Sequence, residues 1–111
     1  MSEFFNSEVV RNEMDEITRL QEEVYDSVWK FPTMSKDEKV EHVEIMSQLL
    51  EKQKILYTRM SLSDDPEAKA MKNKILESAR SLGFPDDVDL NYIFSNMTKV
   101  LESMKKNIYD S

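Results

Sequence analysis

Glycine occurs once in this chain, at Gly83, and that single fact removes most folds. A β-rich chain needs glycine at tight turns of positive φ, and a glycine-rich phosphate cradle needs several close together. Three prolines, Pro32, Pro66 and Pro85, supply the other strong breaks. Between breaks, apolar residues recur every third or fourth position, the period of an amphipathic helix. The sequence therefore predicts an all-α fold, a four-helix bundle-like single domain over residues 1–111. Its helices fall at about 7–31, 36–60, 66–82 and 90–109. The two long N-terminal helices are expected to form an antiparallel hairpin, because a short connection favours neighbouring antiparallel helices.

Local signals support each boundary. Asn6 is the expected N-cap of the first helix, whose stripe runs Val10, Met14, Ile17, Leu20, Val24, Val28 and Phe31. Ser35 and Glu38 have capping-box spacing for the second helix. That helix carries the widest apolar stripe, from Val43 to Met60, and is expected to be the centre of the fold. Asp65 followed by Pro66 starts the third, and Gly83 stands at the left-handed residue that ends it. Asp89 caps the fourth, with Val88 and Ile93 spaced as a hydrophobic staple. Its stripe, Leu90, Ile93, Met97, Val100, Leu101, Met104 and Ile108, has nearly heptad spacing.

Composition narrows the function classes. The absence of cysteine excludes a disulfide framework, thiolate metal sites and a cysteine nucleophile, and fits a reducing, cytoplasmic setting. No apolar run approaches the ~18–20 residues that span a bilayer. The opening MSEFFNSEVV predicts no secretory signal, and no membrane association is expected. The net charge of -7 opposes general attraction to nucleic acid. Residues 1–31 hold most of that excess, on a polar face that includes Glu8, Asp15, Glu22, Glu23 and Asp26.

Candidate chemistry is sparse. His42 is the lone histidine, four residues after Glu38, and reads either as a tuned base or as a half-buried residue paired with that carboxylate. A di-iron bundle needs a Glu-x-x-His pair on each of two helices, and one histidine cannot supply it. Glu13-x-x-Glu16, Glu23-x-x-Asp26 and Glu38-x-x-Glu41-x-x-Glu44 match the carboxylate spacing with which all-α nucleotide pyrophosphatases hold magnesium. Two pairs on one helix cannot face each other across a substrate, so this hydrolase reading stands as the alternative. Lys52, Lys54 and Arg59 form a local basic group, the least favoured option being a nucleic-acid patch. No catalytic, cofactor-binding or metal-ligating residue is assigned.

More informative are apolar residues that the helical stripes do not use. Tyr25 and Trp29 share one flank of the first helix, Ile55 lies opposite the second stripe, and Leu62 sits in a connection. Phe4 and Phe5 precede the first helix, and Tyr92 projects from the last helix away from its apolar face. These seven are the candidate protein-interaction residues, since aromatic side chains are the usual anchors of interfaces.

Three stretches resemble an uncharacterised family of small helical proteins from cyanobacteria and cyanophages. They are Phe4-Phe5-Asn6-Ser7, the run from Glu51 to Ala68 (EKQKILYTRMSLSDDPEA), and Gly83-Phe84-Pro85 with Asn91 to Met97. The resemblance brings no catalytic residues and implies a cyanobacterial or cyanophage setting. The expectation is a non-enzymatic interaction or regulatory module that self-associates and binds a protein partner. No cofactor is expected.

Overall fold

The computed structural model describes residues 3–110, which are helical with no strand among them. Five helices follow in order: α1 (Glu3–Asn6), α2 (Glu8–Val28), α3 (Lys36–Leu62), α4 (Pro66–Ser81) and α5 (Leu90–Asp110). A 3-10 turn, Phe31–Thr33, joins α2 to α3.

The N-terminal boundary differs from expectation. Asn6 ends the short α1 instead of capping α2, and Ser7 takes the cap position without a side-chain hydrogen bond. The Phe4 N–H explains the extra turn, because it donates to Asp65 Oδ2 at 2.9 Å and fixes the chain before α2 begins. α2 also stops at Val28, short of Phe31. Pro32 has no N–H to donate to the Val28 carbonyl, so the α-helical ladder cannot continue and the chain passes into the 3-10 turn.

The remaining caps act as the sequence predicts. α3, however, runs on to Leu62, a residue expected in the connection, because the break comes only at Ser63 and the Asp65–Pro66 start of α4. Ser35 Oγ accepts the Glu38 N–H while Glu38 Oε1 accepts the Ser35 N–H, a complete capping box. Asp65 Oδ1 accepts the Glu67 N–H at 2.8 Å, with Pro66 in the first helical position. Gly83 has φ +99°, and the Gly83 and Phe84 N–H groups donate to the Arg80 and Ala79 carbonyls, the Schellman arrangement. Asp89 Oδ1 accepts the Asn91 N–H, and Val88 and Ile93 both pack against the core beneath α5.

α3 is the spine. Glu13 pairs with Arg59 and Glu16 with Lys52, so the start of α2 lies beside the end of α3. On α5, Phe94 meets Tyr57, Lys105 pairs with Glu44, and the Tyr109 carbonyl accepts from Lys36. α5 therefore runs antiparallel to α3. α4 packs on α3 and is bridged to α2 by α1. One buried cluster, Tyr57, Met60, Ala68, Ala79 and Leu90, joins α3, α4 and α5. Val10, Ile17 and Leu20 on α2, with Val40, Val43 and Leu50 on α3, complete the core. Although α2 and α5 both rest on α3, they barely touch each other. The radius of gyration, 16.0 Å, exceeds the roughly 13 Å of a compact chain this long.

Candidate functional site

The seven candidate residues fall into separate places. Trp29 and Tyr25 stand in solvent, 88% and 68% exposed, one helical turn apart at the end of α2. Glu22 and Asp26, exposed on the adjoining face, give that aromatic pair an acidic border. Leu62 ends α3, exposed beside a shallow hollow that includes Phe4, Ser7, Val10 and Arg59. Trp29 and Leu62 lie toward opposite ends of α3, a helix about 40 Å long. Ile55 is only just exposed, and Tyr92 is exposed at the start of α5.

Phe4 and Phe5 do not stand on the open surface. Their rings meet edge to face at 5.0 Å and pack half-buried against the cluster beneath α4 and α5. The Phe4–Asp65 hydrogen bond holds α1 beside the start of α4, where both rings reach the cluster.

The charged candidates hold helices together. Arg59 Nε donates to Glu13 Oε1 at 2.9 Å, and Lys52 pairs with Glu16. Lys52 lowers the Glu16 carboxyl below its ordinary range, first by the hydrogen bond and then by its charge. Glu44 similarly raises Lys105. Glu13 Oε2 is buried without a hydrogen-bond partner. A helical wheel places most of these carboxylates toward solvent; Glu13 and Glu16 instead turn to the basic residues of α3. Among the described residues, no three His, Asp or Glu side chains converge as a metal site.

His42 is buried, and its ring lies 5.4 Å from that of Phe31, with Lys39 Nζ over the other aromatic ring at 5.6 Å. The expected pairing with Glu38 gives way to the capping box, which uses Glu38 Oε1. Burial alone lowers the His42 pKa and favours the neutral imidazole.

The exposed apolar surface of α5 is not among the residues expected at an interface. Leu90 is the one buried residue of its stripe among those described; Met97 and Val100 are 47% and 58% exposed. Together with Leu101 they form one wall of a groove floored by Met46, Leu49, Leu50 and Gln53 of α3 and closed on the far side by Val24 of α2. The signal was the width of the stripe. Leu90, Phe94 and Leu101 cluster on the side facing α3, whereas Met97 and Val100 lie about 40° and 100° round the helix from that side.

These features define a small all-α protein whose described surface offers apolar and aromatic patches. The family described as a domain of unknown function (DUF1825) matches residues 2–108, and the chain belongs to it. No curated protein and no solved structure matches the chain. No helix among the described residues is long and apolar enough to cross a membrane.

Proposed function

We propose that this chain is a non-enzymatic protein-interaction or regulatory module that self-associates, working in the cytoplasm of a cyanobacterial cell or one infected by a cyanophage. In this reading residues 1–111 act as one bundle-like unit of four main helices, with α2 and α3 as an antiparallel hairpin. The carrying observation is the exposure of Trp29 and Tyr25 on one flank of α2, beside Glu22 and Asp26. Aromatic anchors on an acidic border suit a basic partner surface, with association that weakens as salt rises. A pull-down from cyanobacterial lysate with wild type and Trp29→Ala, at low and high salt, tests it. A protein retained by wild type and lost in the variant and at high salt supports the reading; identical captures under all conditions refute it.

The competing class is a magnesium-dependent nucleotide hydrolase. A nucleotide panel with magnesium, comparing wild type with Glu13→Gln and Glu41→Gln, decides it. Turnover lost in both variants would replace the interaction reading.

A further inference from the structure

We propose that the groove between α2 and α5 is the self-association surface, and that its occupant is α5 of a second copy of this chain. This inference rests on the self-association part of the proposed function but assigns it to a surface away from Trp29. Val24 on α2, Met46, Leu49 and Leu50 on α3, and Met97 and Val100 on α5 line the groove. Met97 and Val100 also border a second hollow, beside Phe84 and Tyr92, so the apolar surface continues around α5.

Area is the first argument for a second copy. The chain exposes 7888 Å², whereas a compact monomer of 13.1 kDa exposes about 6,400 Å². The excess, roughly 1,500 Å² over the whole open-packed chain, leaves room for the ~800 Å² that each partner buries in an interface of standard size.

Charge is the second argument. Two copies, each at -7, repel wherever acidic surfaces face each other. The groove between α2 and α5 is lined by uncharged residues, and the second hollow includes a single charge, the α5 cap Asp89. A basic partner finds no carboxylate in the groove to pair with. A copy of the same chain needs none.

Shape completes it. A two-fold contact needs one surface that is complementary to itself. Here Met97 and Val100 of one helix form both a wall of the groove and an exposed apolar ridge that continues into the second hollow. Packing α5 against its symmetry mate covers both ridges at once, with the axes about 8–10 Å apart.

Light scattering on the full chain, with circular dichroism of every variant, provides the test. Wild type should run at twice the 13.1 kDa chain mass at high micromolar concentration. Val100→Glu and Met97→Glu should each weaken the dimer by about a hundredfold or more while leaving helicity unchanged, because each places an unpaired charge in the contact. The chain has no cysteine, so Val100→Cys or Met97→Cys introduces a unique thiol; at least one should form a disulfide-linked dimer on mild oxidation, and Trp29→Cys should not. A monomeric wild type overturns both self-association and this surface. A dimer that persists in both glutamate variants, or is cross-linked only through Trp29→Cys, overturns the groove and leaves self-association standing.

Discussion

The Phe4 N–H and the Asp65 carboxylate meet at 2.9 Å across 61 positions of sequence. The same carboxylate caps α4 through the Glu67 N–H, so one side chain both starts a helix and fixes α1 against it. Asp65→Ala removes both bonds. The cap alone is worth about 1–2 kcal/mol, and urea unfolding should show a loss of at least that size. Amide exchange at Phe4 should accelerate in the same variant.

Gly83→Ala isolates a backbone effect. A Cβ at this position meets nothing within 4 Å, so no clash contributes. The left-handed conformation at φ +99° is the whole penalty, about 1–2 kcal/mol. Thermal unfolding checks it, and Gly83→Asn should lose less, since asparagine tolerates positive φ better.

Arg59→Met should destabilise the chain more than Glu13→Gln. The Glu13 side chain is only 19% exposed, and removal of Arg59 leaves its charge without a partner. An amide at Glu13 carries no charge to strand. The expected loss for Arg59→Met is about 1–2 kcal/mol, against a few tenths for disrupting the exposed Arg19–Glu23 pair. A double-mutant cycle at each pair measures the difference.

His42 makes stability depend on pH. Burial holds its folded pKa below the ordinary 6.5, so the unfolded chain binds the proton more readily. Its contribution is full above 6.5 and is lost as pH falls from there through the lowered folded value. Denaturant titrations across that range should show a slope that His42→Phe flattens. Glu16 is also lowered, but its contribution fades only at more acidic pH, below the ordinary carboxyl value of 4.5.

Trp29→Ala should barely alter stability. With 88% of the residue exposed, the change should stay within about 0.5 kcal/mol by thermal or denaturant unfolding. A larger loss would place the indole in a packing role and remove it as a free anchor.

Much of the fold was legible because its signals are local. Ser35 and Glu38 meet within one helical turn, as do Asp65 and Glu67, and Gly83 needs only its own backbone conformation. The candidate surface was harder to read. Tyr25 and Trp29 departed from the α2 stripe and proved exposed, but the placement of Phe4 and its neighbour Phe5 involves a carboxylate 61 positions from Phe4. Met97 and Val100 belong to a good helical stripe, and periodicity alone assigns such residues to a core.

Local spacing and capping residues make the described chain helical, set where most helices start and stop, and mark which positions on each are apolar. Those properties follow from a period of 3.6 residues and from caps acting within a turn. Which apolar flank gains a neighbour depends instead on how the helices pack. α3 satisfies the side of α5 that carries Phe94 and Leu101, while α2 stays too far from α5 to cover Met97 and Val100. Burial depends on which elements meet in space, and helical spacing encodes direction without naming the neighbour.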